Sequence, residues 1–140
     1  MRCTAALLAD AAQVVGGKLY LLGGAFDVLT AREFPATHRA LSLVVIVEVG
    51  PGDRNRDLEL STRLFDEDGN PLEVESKATF RVGAPSTLPA GATSLVPLVT
   101  VFGNLRFPHA GGYVFIVEHE EQEIARVPLR LQLPPGIRPA

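Results

Sequence analysis

Two aspartates and two histidines, Asp10, Asp27, His38 and His109, are the residues of this chain best suited to acid–base work. A carboxylate beside an imidazole can hold and move a proton, provided the fold brings both within hydrogen-bond reach of one substrate. Their spacing along the chain does not do this by itself, so no catalytic residue is assigned and the chain is read as a non-enzyme. His38, His109 and His119 with the lone Cys3 also lack the short ligand spacing of a zinc site. His119-Glu120-Glu121-Gln122-Glu123 has no second histidine to complete a metalloprotease helix. No Gly-x-Ser-x-Gly elbow occurs. Gly16-Gly17-Lys18 carries Ala12 where a phosphate loop needs its first glycine. Gly50-Pro51-Gly52 has Asn55 at the third glycine of a dinucleotide fingerprint. The expectation is a chain without cofactor or metal.

Clustered charges read the same way. Asp66-Glu67-Asp68-Gly69-Asn70 groups the carboxylates a calcium ion favours but lacks the rest of a calcium loop. Glu118, Glu120, Glu121 and Glu123 form an acidic turn, and Arg54 and Arg56 are interleaved with Asp53 and Asp57. Both are expected to be solvated loops. A net charge of −3 offers no electrostatic footprint for nucleic acid or an anionic membrane. The lone cysteine cannot form an intrachain disulfide, and Asp10 interrupts the short apolar run near the N-terminus. These features predict a cytoplasmic protein.

The elements that must position these residues are strands. With 46% hydrophobic and 21% charged residues, a chain of 140 residues can bury a single core. No stretch sustains a helical period, whereas alternation of period two recurs between turn signals. It predicts strands over 2–12, 18–30, 40–49, 57–66, 70–82, 95–106, 112–120 and 123–133. The expected fold is all-β: a two-sheet antiparallel sandwich of about eight strands, immunoglobulin-like or jelly-roll-like, over residues 1–133. Residues 134–140, rich in proline, should form a tail.

Several joints are specific. Gly16-Gly17 fits a tight hairpin turn, and Gly23-Gly24 marks a bulge or bend. Pro97 and Pro128 place their strands at an edge or a bulge. The stretch 83–94 is long enough to cross between sheets. Glu67-Asp68-Gly69 reads as a three-residue hairpin loop with Gly69 left-handed and Asp66 facing Asn70. That register pairs Leu64 with Leu72, Leu60 with Ser76, Arg63 with Glu73 and Glu59 with Lys77. Tyr113 comes just after the corner Pro108-His109-Ala110-Gly111-Gly112. It is either a tyrosine corner, whose hydroxyl bonds back to the upstream backbone, or an ordinary half-buried strand tyrosine.

Fragments along nearly the whole chain carry a resemblance. They are Leu7-Leu8-Ala9-Asp10, Gly17-Lys18-Leu19-Tyr20-Leu21-Leu22-Gly23, Phe26-Asp27 and Phe34-Pro35-Ala36-Thr37-His38. Asp68-Gly69, Asn104-Leu105-Arg106-Phe107, Gly112-Tyr113 and Ala125-Arg126-Val127-Pro128-Leu129 come next in order. Together the chain resembles an uncharacterised bacterial family, a domain of unknown function of about this length. The resemblance implies a small β-sandwich and no activity. By that resemblance, relatives often carry a Glu-x-Gly-x-His element before the fourth strand, where this chain has Gly52-Asp53-Arg54-Asn55-Arg56-Asp57.

The strand over 40–49 suggests how such a domain works. Leu41, Leu43, Val45 and Val47 supply a core face, but the opposite face, Ala40, Ser42, Val44, Ile46 and Glu48, is apolar in its middle. Something should cover it: a second copy of the chain, or the N-terminal segment or a loop of the same chain. The leading expectation is a protein-interaction or structural module that forms a homodimer through Ser42, Val44, Ile46 and Glu48, with an unidentified protein as a further possible partner. The alternative is a small-molecule or carbohydrate-binding sandwich, and the third is an enzyme on the Asp/His set. Asp27, Phe34, His38, Phe107 and His109 are the candidates for a ligand or partner loop.

Overall fold

Alternating apolar residues bounded by glycine, proline and aspartate turns build nine strands in the computed structural model, which describes residues 1–136. They are β1 (Arg2–Val15), β2 (Lys18–Gly24), β3 (Val28–Thr30), β4 (Ala36–Val49), β5 (Asp57–Asp66), β6 (Pro71–Arg81), β7 (Ser94–Phe107), β8 (Gly111–His119) and β9 (Gln122–Gln132). A four-stranded sheet runs β2-β1-β4-β7 and a five-stranded sheet runs β3-β9-β8-β5-β6. Side chains from the inner faces of both sheets form one core, including Leu8, Leu41, Leu43, Leu58, Leu64, Phe107, Phe115 and Leu129. The all-β sandwich expected from the alternation is the observed architecture.

Its connectivity decides between the two expected variants. The order β1-β4-β7 faces β9-β8-β5, as strands A, B and E face G, F and C in an immunoglobulin-type sandwich. The segment after β6 carries the chain from the five-stranded sheet to β7 in the other, as the length of that loop suggested. Pro97 lies on edge strand β7, and Pro128 lies where β9 extends past the short β3. Of the tail expected over 134–140, Pro134, Pro135 and Gly136 carry no strand, and 137–140 lie outside the described residues.

Four details differ from the sequence reading. The run 18–30 is two strands, because the backbone turns left-handed at Gly23 and Ala25 and the chain crosses to the other sheet. The resulting β3 pairs with β9 in parallel, so the sandwich is not wholly antiparallel. The hairpin loop is as expected: Gly69 sits at φ +82°, its N–H donates to the Asp66 carbonyl at 3.1 Å, and the Asp66 N–H donates to the Asn70 carbonyl. Beyond it, an irregularity between Arg63 and Phe65 shifts the register by two residues. Leu60 therefore faces Ala78, Ser61 faces Lys77, and Arg63 faces Glu75. A shift of two keeps every side chain on its face, so alternation alone cannot detect it. Finally, Asn104 at φ +51° breaks the alternation of β7. Phe102, Leu105 and Phe107 all reach the core in consequence.

Candidate interaction face

The two sheets present opposite chemistry to solvent. On the outer face of the five-stranded sheet, Arg63 pairs across the strands with Glu75 and Ile116, and Ile116 with Arg126. Arg81 bonds Asp57 at 3.0 Å, Arg126 bonds Glu123 at 2.8 Å, and the Arg63 guanidinium lies over the Phe65 ring. Charged heads there sit in water while their stems cover the sheet.

The outer face of the four-stranded sheet is different. Register pairing aligns Ala9 with Ser42 and Val101, Leu7 with Val44 and Val99, and Ala5 with Ile46 and Pro97. Along β1 and β2 it continues through Ala11 with Leu22 and Gln13 with Tyr20. Charge returns only at the ends of this face: at one, Arg2 and Glu48 bond each other at 2.7 Å, and at the other stands Lys18 beside the Gly16-Gly17 turn. Leu22 is 73% exposed, Leu95 65%, Val101 63% and Tyr20 53%.

The interface residues taken from the sequence fall within this face but not where they were expected to act. Ser42 and Val44 are already buried within the single chain, at 2% and 0% exposure. Val44 lies between Leu7 of β1 and Val99 of β7, so its neighbours in the sheet shield it. Ile46 and Glu48 are half-buried. The surface open to a partner is flanking: Tyr20 and Leu22 on β2, Leu95 and Val101 on β7. Sequence patterning along one strand missed these, because membership of the face is set by cross-strand register.

The loop candidates do not assemble into a site. Phe107 is fully buried in the core and Phe34 packs half-buried against it, which removes both as loop aromatics. Asp27 is exposed, and its carbonyl accepts from the Arg130 N–H at 2.7 Å. His38 is half-buried on β4 opposite Leu105, and Asp10 is exposed on β1. Among the described residues, no hydrogen bond or ion pair joins any two of Asp10, Asp27, His38 and His109. None of their clusters is placed to hold a metal ion.

His109 belongs instead to a corner. The Tyr113 hydroxyl donates to the His109 carbonyl at 2.7 Å and accepts from the His109 N–H at 3.2 Å. This is the tyrosine corner, at the crossing from β7 to β8. The His109 ring stacks on Tyr113, and its Nε2 stands 3.7 Å from Asp66 Oδ2. Burial pushes the Tyr113 phenol above the usual tyrosine range, against the hydrogen bond to the His109 backbone. Asp66 is held below the usual carboxylate range by the Asn70 N–H, with Asp68 adding a second backbone donor. The Cys3 thiol, half-buried at the core edge, is pushed up by burial. Among the described residues no helix is long and apolar enough to cross a membrane.

No curated protein matches the chain. Among solved structures it is similar to the Pseudomonas fluorescens alkylpurine DNA glycosylase AlkC bound to DNA containing an abasic site analog, at 15% identity and a TM-score of 0.40. That likeness covers 91% of this chain and 30% of the glycosylase. It is also similar to a beta-glucuronidase from glycoside hydrolase family 2, at 17% identity and a TM-score of 0.34, over 71% of this chain and 10% of that one. The chain thus spans less than a third of either protein. Residues 4–132 match the family of unknown function DUF6941, and the chain belongs to that family.

Proposed function

We propose that this member of a family without an assigned activity is a non-enzymatic interaction module of the cytoplasm that pairs with a second copy of itself. The observation that carries the reading is the uncharged outer face of the four-stranded sheet, set against the charged outer face of its neighbour. An antiparallel sheet with one wet face normally alternates apolar with polar residues. Here both faces of β4 are apolar in their middle. Fully burying a Leu or Val side chain contributes about 1.5–3 kcal/mol, so Leu22, Leu95 and Val101 left in water are a standing drive to associate. A twofold pair is the commonest way to cover such a face with itself. The lone Cys3, which leaves no intrachain disulfide, supports a reducing compartment.

Sedimentation equilibrium tests the reading. The unmutated protein should run as a dimer at hundreds of micromolar, and Val101→Asp should run as a folded monomer with an unchanged circular dichroism spectrum. A wholly monomeric unmutated protein at that concentration would overturn it. A second reading, binding of a small amphipathic ligand, is favoured by one observation. On the five-stranded sheet a shallow groove of about 520 Å³ has Phe65, Val114 and Ile116 among its lining, with Glu118 and Arg126 beside them.

A further inference from the structure

Past Ala9, where the pairing of β1 with β4 ends, β1 continues with β2 as a two-stranded ribbon. Between residues 10 and 24 only Ala12 and Leu19 are even half-buried. Of the eight large hydrophobics exposed on the described chain, five lie on this arm: Val14, Val15, Tyr20, Leu21 and Leu22. Gly16 and Gly17, at φ +58° and +75°, form the tight turn that sets its register, with Val15 opposite Lys18. The closing pair of a two-residue hairpin exchanges hydrogen bonds, and bonded and non-bonded pairs then alternate. Lys18, Tyr20 and Leu22 therefore bond β1, while Leu19 and Leu21 turn their N–H and C=O groups outward. β2 ends its sheet, and among the described residues no backbone bond reaches those groups. The other three sheet edges are guarded. β3 is three residues long, β7 carries Pro97, and β6 presents Glu73, Glu75, Lys77 and Arg81. β2 has seven residues and no proline, and its one charge, Lys18, sits beside the turn. A lone ribbon is marginal in water, so this edge is built to be paired.

Charge indicates that the missing neighbour is the arm of a second copy. Asp10 and Lys18 are the only charged residues of the arm, and they stand at opposite ends of it. Lys18 lies opposite Val15, so about 17 Å of strand separates the two within one chain. The Asp10 carboxylate leans across β2 at Gly23, where a Cβ would collide with it. An antiparallel copy set against β2 brings the cationic end of each arm beside the anionic end of the other and keeps the two lysines apart. Geometry then selects one register. Gly23, at φ +60°, drops out of the ladder, which leaves Leu19 and Leu21 as the bonding residues of the edge. A twofold axis at Tyr20, normal to the sheet, sets Leu19 of each copy against Leu21 of the other and satisfies all of their outward groups at once. Tyr20 then faces its own copy, and Leu22 faces Lys18. The uncharged outer faces of both four-stranded sheets come out on the same side of one continuous sheet.

We infer that β2 is a self-complementary edge, and that two copies of the chain join their arms across a twofold axis at Tyr20 in a contact separate from the face pairing proposed above. At about 3.4 Å per residue and about 10 Å of sheet thickness, the joined edges bury roughly 500 Å² in total, the size of a transient encounter. The edge contact therefore adds to the face contact, and a covalent trap reads it better than mass at equilibrium. In a Cys3→Ala background, Tyr20→Cys should give a covalent dimer under mild oxidation on a non-reducing gel. Residues opposed in a non-bonded pair lie about 4.5 Å apart at Cα, within disulfide reach. Leu22→Cys, at a more exposed position, should not cross-link alone, whereas Leu22→Cys with Lys18→Cys should. Leu21→Pro removes an outward N–H and no bond within the chain, so it should abolish the Tyr20→Cys dimer, and Leu21→Ala should keep it. Position 22 cross-linking alone as well as position 20, or no cross-link at position 20, overturns the edge pairing. Val101→Asp strikes only the face, so the Tyr20→Cys dimer should survive it. An unmutated protein that sediments as a monomer while Tyr20→Cys cross-links in this pattern overturns the face pairing and supports the edge.

Discussion

At the residue scale, two positions carry strong demands. Gly69 holds a positive φ that a β-branched side chain tolerates poorly, whereas the Asp68 side chain takes no part in the turn's hydrogen bonds. Gly69→Val should cost about 1–3 kcal/mol and Asp68→Ala less than about 0.5 kcal/mol, read from urea midpoints. Tyr113 is the other. Its phenol is raised in the folded state, so the neutral form is the one the fold favours. Stability from this group is complete below the unfolded tyrosine value and is lost as pH rises through the folded one. Asp66 has the opposite sign: its lowered carboxyl stabilises above the ordinary carboxylate range and fails as acid protonates it. Tyr113→Phe should flatten the alkaline limb of the stability profile and Asp66→Ala the acid limb, each measured by urea unfolding across pH. If both limbs keep their slopes, the hydrogen bonds at this corner are not the source of the pH dependence. The tyrosine corner was visible in the sequence because its signal is local, a tyrosine just past a glycine-containing turn.

At the scale of elements, alternation exposed the strands but not how they slide. Period two is blind to a shift of two, so the turn chemistry at Asp68-Gly69 was legible and the pairing beyond the irregularity at Arg63 and Phe65 was not. A double-mutant cycle should give about 0.2–1 kcal/mol of coupling between Arg63 and Glu75, shrinking in high salt, and none between Arg63 and Glu73. Coupling in the second pair instead would restore the unshifted register. Phe107 escaped for a related reason. A single left-handed residue, Asn104, redirects the last residues of β7, and an asparagine in a strand gives no sign of whether it sits at positive φ.

At the scale of the whole molecule, the apolar second face of β4 was legible, but its shielding was not, because Leu7 and Val99 arrive from strands far apart in the chain. Val44 and Val101 now separate two kinds of damage. Val44→Asp places a charge in a site with no exposure and should cost about 3 kcal/mol or more. Val101→Asp meets water and should change mass rather than monomer stability; a loss of several kcal/mol in the monomer would show that Val101 is structural.

The Gly16-Gly17 ribbon has a consequence that can be timed. An arm whose shelter comes from a second copy has a local opening equilibrium governed by mass action. Its amide protons should exchange quickly in dilute solution and slow as the protein is concentrated, while those of β8 in the core exchange far more slowly at every concentration. The arm's protection would then record, at any dilution, what fraction of the chains have met a partner.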